Sequence, residues 1–131
     1  MKRELTDIDI DIDTTKDSTG FKDFVSEVTS HVTQPLEHFV DQNYDNYNFE
    51  ITLHGQVVDI CPMAEMKVFN KVTETYQPFY RGTFPDIETV DFFGLELPLL
   101  SKELIIKNKE ELRWKRPSDL KDINGLKVLM R

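Results

Sequence analysis

The chain has a single cysteine, Cys61, among its 131 residues. One thiol can neither close an internal disulfide nor build a multi-cysteine zinc site, so Cys61 reads as a small residue of the core or near a site. Long apolar runs are missing as well. None approaches the ~20 residues of a membrane span, and the basic start Met1-Lys2-Arg3 is followed by acidic residues where a signal peptide would need its apolar region. No membrane association and a cytoplasmic location are expected. Positive charge is in deficit: 24 acidic residues against 16 Lys and Arg leave a net charge of -8. That balance disfavours a duplex nucleic-acid binder, which needs a basic footprint against the phosphates. The acid excess serves solubility first and favours cationic partners only weakly. Internal repeats and low-complexity tracts are absent too.

What is present begins at residues 6–13, TDIDIDID. Strict alternation is the period of a β-strand, so Ile8, Ile10 and Ile12 are expected to enter a core while Asp7, Asp9, Asp11 and Asp13 share the other face. Same-face neighbours on a strand lie roughly 7 Å apart. Carboxylates at that spacing repel unless something positive sits among them, and a divalent cation would remove the repulsion. The same alternation also describes any strand with one wet face. An EF-hand loop, which needs Gly at its sixth position and Glu at its twelfth, is excluded because Ile12 and Ser18 stand there.

Residues 14–20 are polar and read as a loop leading into a helix. Phe21, Phe24, Val25 and Val28 form an apolar stripe of helical period. Pro35 must interrupt that helix, and a short second helix carrying Leu36, Phe39 and Val40 is expected after it. His31 and His38 would lie on these helices as surface residues, with no metal-ligand spacing around them. Residues 43–48 read as a turn-rich loop. Residues 49–53 alternate as a strand, His54-Gly55-Gln56 turns the chain, and residues 57–61 return as a second strand of a hairpin. Asp59 stands out there, an acid between Val58 and Ile60. Residues 68–84 read as irregular or short-strand structure, and Phe92, Phe93, Leu95 and Leu97 as a short apolar approach to Pro98. Ser101 is a plausible N-cap for a helix over residues 102–113 with Leu104, Ile105 and Leu112 as core contacts. Glu103 and Lys107 stand one turn apart, the spacing of an ion pair worth about 0.2–0.5 kcal/mol. Pro117 opens a further helix that Asn124-Gly125 is expected to stop.

Two acids in a D-x-D strand and a third on a later hairpin strand form a set of hard oxygen donors, the kind magnesium accepts when it holds a triphosphate. These residues, with the order of the elements around them, resemble the DNA polymerase β-like nucleotidyltransferase superfamily. The match runs through residues 6–13, the VVDI of residues 57–60, the LPLLS of residues 97–101, Lys107, and the RPSDLKDI of residues 116–123. Within the superfamily the chain looks most similar to small lincosamide and aminoglycoside nucleotidyltransferases. The resemblance implies an α+β fold, a mixed sheet of the acidic strand plus the hairpin flanked by helices, over residues 1–131 as one domain. It implies metal ligation by Asp7 and Asp9, with Asp11 the alternative in the same register. Asp59 would be the third ligand and candidate base, and Lys107 and Arg116 would approach the nucleotide phosphates. Mg2+, in a two-metal site, is the implied cofactor. A nucleoside triphosphate and a small molecule bearing a hydroxyl are the implied substrates.

The chain departs from that family at one point. Members carry a Gly-Gly or Gly-Ser turn at a helix start well before the D-x-D strand, where backbone N–H groups cradle the triphosphate. Only six residues precede Asp7. Two readings follow. One is an enzyme whose N-terminus is shortened, which would expose apolar surface and favour a homodimer. The other is a non-catalytic binding module that kept the fold and lost the phosphate cradle.

Overall fold

In the computed structural model, residues 7–79, 87–92 and 94–131 are described. Two compact units emerge, one containing residues 7–79 and the other residues 87–131 of the described chain. The expected first pair of Phe residues at 92 and 93 falls partly outside this range.

The first unit is a mixed sheet of six strands: β1 (Asp7–Ile12), β2 (Val32–Val40), β3 (Tyr44–Leu53), β4 (Gln56–Pro62), β5 (Lys67–Asn70) and β6 (Thr75–Pro78). Its order is β1-β4-β3-β5-β6, with β2 also paired to β3. Only β1 and β4 run parallel. One helix, α1 (Thr19–Glu27), follows β1 and starts where the Ser18 hydroxyl accepts a hydrogen bond from the Phe21 N–H at 3.1 Å. Its apolar stripe brings Phe21 edge-on to Phe49, centroids 5.8 Å apart. Phe21, Phe49, Ile51, Val58 and Ile60 form the buried cluster, with Phe24, Val25 and Val28 packed against it. Each such side chain contributes about 1.5–3 kcal/mol by leaving water.

The alternation of β1 holds, but its apolar side is less covered than its sequence suggests. Ile12 packs on the cluster while Ile8 and Ile10 remain 45% and 43% exposed. β1 ends the strand order, so these two reach only the rim of the core.

The segment after Pro35 is a strand and not a helix. A 3₁₀ turn (Thr29–His31) follows α1, and β2 then pairs with β3 through register shifts between Val32 and Gln34 and between Gln34 and Glu37. Such bulges break the two-residue period, leaving Leu36, Phe39 and Val40 at spacings that imitate a helix. A strand without a second partner also tolerates Pro35. His31 and His38 are exposed as expected, but His38 sits on β2, stacked on Tyr47 and 2.6 Å from the Asp45 carboxylate. Residues 44–48 likewise belong to β3 and not to a loop. The turn is tighter: the Asp41 carboxylate accepts from the N–H groups of Asn43 and Tyr44 at 2.7 and 2.8 Å. The β3–β4 hairpin is as expected, with His54 and Gly55 both at positive φ, 49° and 79°, the two-residue turn that matches strand twist.

The second unit holds a two-stranded hairpin, β7 (Ile87–Phe92) and β8 (Leu95–Leu100), and two helices, α2 (Lys102–Glu111) and α3 (Pro117–Leu129). The apolar approach to Pro98 is thus a strand, and Ser101 caps α2 by accepting from the Leu104 N–H at 3.1 Å. Ile106 and Leu112 are its buried residues, while Leu104 and Ile105 are half-buried. α3 does not stop at Asn124-Gly125. It continues to Leu129, where Leu126 is half-buried and Lys127 pairs with Glu110 of α2, and a helical glycine costs only ~1 kcal/mol. Among the described residues no helix is long and apolar enough to cross a membrane.

Candidate functional site

Parallel pairing of β1 with β4 sets Asp9 directly opposite Asp59, Asp11 opposite Cys61 and Asp7 opposite Val57. Paired strands lie about 4.8 Å apart, and facing residues share a side of the sheet. Asp9 and Asp59 are therefore neighbours on the face opposite the Phe21–Phe49 core. Val58 and Ile60 turn into that core, which explains how an acid persists in the middle of β4: alternation sends Asp59 to the other side, half-buried. The side chain of Asp7 lies outside the described residues.

Glu50 extends the row. It faces Asp59 from β3, so Asp9, Asp59 and Glu50 line up across three adjacent strands. A bulge in β2 brings Thr33 to it, and the Thr33 hydroxyl donates to the Glu50 carboxylate at 2.7 Å. The sequence reading passed over Glu50. Counting outward from the two-residue turn at His54-Gly55 would have found it, since a tight hairpin fixes which residues face each other.

Crowding of like charges is visible at Asp11. Its carboxyl is pushed up to about 6, first by burial among the atoms of the sheet and then by the negative charge of Asp9. The residue as a whole still reaches solvent. Cys61, opposite it, is buried, and burial followed by the charge of Asp11 pushes its thiol up to about 12. A weak hydrogen bond donated by Asn46 Nδ2 to Cys61 Sγ, at 3.7 Å, opposes that rise without reversing it. Cys61 is thus a buried thiol whose surroundings favour its protonated form.

Lys107 and Arg116 belong to the second unit. Lys107 is exposed on α2, and among the described residues it has no ion pair, with Glu103 or any other acid. Arg116 precedes α3, and its backbone N–H and guanidinium both donate to the Asp119 carboxylate, at 2.9 to 3.2 Å. Lys109 from α2 donates to the same carboxylate at 2.7 Å and lies 3.3 Å from Asp122. Asp119 is 1% exposed. Burial alone would raise its carboxyl, but the hydrogen bonds from Arg116 and Lys109 prevail and hold it well below the usual carboxylate range.

The carboxylates of the acidic face are hard oxygen donors, a chemistry that suits magnesium, calcium or manganese. Among the described residues no group of three or more His, Cys, Asp or Glu could by itself hold a metal ion. Magnesium does not need one: it is usually bound by one or two carboxylates, with water and substrate phosphates filling the other positions. Asp9 and Asp59 meet that minimum as hard oxygen donors on one face.

No family model and no curated protein matches the chain. Among solved structures it is similar to a Thermotoga maritima protein described as a "putative nucleotidyltransferase", with 16% sequence identity, a TM-score of 0.63, and coverage of 98% of this chain and 71% of that one. At that identity the likeness speaks for the arrangement of elements. The chain therefore has a nucleotidyltransferase-like α+β fold, built on a mixed sheet.

Proposed function

We propose that the protein is a magnesium-dependent nucleotidyltransferase that moves a nucleoside monophosphate from a nucleoside triphosphate onto a hydroxyl of a small molecule. The observation that carries this reading is the register of β1 on β4, which makes Asp9 and Asp59 neighbours on one side of a fold similar to that of a protein described as a "putative nucleotidyltransferase". In the reaction the acceptor oxygen bonds to the α-phosphorus, the bond from that phosphorus to the pyrophosphate oxygen breaks, and pyrophosphate leaves. Asp59 takes the hydroxyl proton as general base. Asp7 and Asp9, with Asp11 the alternative in the same register, would hold the ion with Asp59. Bound magnesium neutralises phosphate charge, and a second ion would complete a two-metal arrangement. Lys107 and Arg116 are the proposed phosphate-binding cations, and Lys107 is the stronger candidate because Asp119 already engages the Arg116 guanidinium. The resemblance of the sequence motifs to small lincosamide and aminoglycoside nucleotidyltransferases, together with the acidic row, supports a cationic acceptor in this proposal.

A second reading, a binding module without turnover, draws support from one specific feature: no Gly-Gly or Gly-Ser pair occurs anywhere in the sequence. Calorimetric titration of a nonhydrolysable triphosphate, with and without magnesium, tests the proposal. Binding that requires magnesium and weakens about 100-fold or more in Asp9→Ala and Asp59→Asn is expected, in keeping with loss of a charged ligand contact. Equal affinity in wild type and both variants would overturn it. Magnesium-dependent binding with no pyrophosphate released from a natural triphosphate, across a panel of aminated hydroxyl acceptors, would favour the module.

A further inference from the structure

We draw no further inference here: the strongest candidate, the apolar face of the β7–β8 hairpin where Leu95, Leu97 and Leu99 stand exposed beside Val90, is an unpartnered surface, and nothing in the structure shows what covers it.

Discussion

Asp119 and Asp11 are the same side chain held in opposite electrostatic surroundings. Asp119, in the second unit, is buried and receives hydrogen bonds from Lys109 on a neighbouring helix and from both the backbone and the guanidinium of Arg116. Its charge is favoured, and its carboxyl sits far below the ordinary value. Asp11, in the first unit, has its carboxyl pushed up to about 6, first by burial with no cation to offset it in that shift and then by the charge of Asp9 two residues away on the same strand face. The difference teaches how to read acids in this chain. Asp119 works as structure because its cations are supplied by Lys109 on a neighbouring helix and by Arg116. Asp11 stands on a face where acids of β1 and β4 are set side by side, and its raised carboxyl is relieved by a proton or a cation. The fold of the second unit draws on Asp119, whereas Asp11 is an acid that the first unit tolerates.

The largest expected effect tests the structural half of the contrast. Asp119→Ala removes the acceptor shared by Lys109 and Arg116 at a buried position and is expected to cost about 3 kcal/mol, the scale for breaking a buried ion pair. Chemical denaturation at pH 7 measures it, and a loss below about 1 kcal/mol would mean that the cluster is no more than a surface pair. The pH dependence has a definite sign. A depressed carboxyl stabilises the fold above its unfolded value near 3.8 and loses that contribution as the pH falls through the folded one. Wild type should therefore lose stability in acid faster than Asp119→Ala does.

Asp11→Asn should do the reverse on a smaller scale. A raised carboxyl binds its proton more tightly in the folded state, so the wild-type residue costs stability as the pH climbs from about 4 to about 6. Replacing it is expected to stabilise the protein at pH 8 by about 1 kcal/mol, reduced from the full shift because the residue reaches water. At pH 4 the gain should vanish. Thermal melts at the two pH values read this directly, and a gain that persists at pH 4 would point to packing in place of charge.

Much of this was legible in the sequence, and the exceptions have physical causes. The period of residues 6–13 gives the acidic face without any structure, and the His54-Gly55 turn fixes the β3–β4 register that places Glu50 beside Asp59. Ser101 and Pro117 announce the starts of α2 and α3, because capping and a fixed φ are local matters. β2 was hidden because two register shifts erase the alternation that identifies a strand. The Asn and Tyr residues at 44–48 looked like a turn because polar residues on the open side of a sheet have the same composition as a loop. Gly125 misled because a helical glycine costs only ~1 kcal/mol and the turn beyond it is tied to α2 through Lys127 and Glu110. The meeting of Asp9 with Asp59 was a matter of long-range parallel pairing, which no local pattern encodes. The role of Asp119 was unreadable for the same reason: Lys109 reaches it from another helix.

The smallest effect separates the partners of Asp119 from one another. In Arg116→Ala the carboxylate keeps Lys109 Nζ at 2.7 Å and the backbone N–H of residue 116 at 2.9 Å, neither of which the substitution removes. The lost guanidinium belongs to a side chain that is 61% exposed, where water replaces much of what an ion pair supplies. A loss of about 0.5 kcal/mol is expected, well short of that for Asp119→Ala. Lys109, reaching Asp119 from α2, would then be the stronger of the two cations on that carboxylate. Denaturation of Arg116→Ala and Lys109→Met side by side checks the ranking. If Arg116→Ala costs as much as Lys109→Met, the guanidinium is a structural clasp and Lys107 alone remains as a phosphate-binding cation.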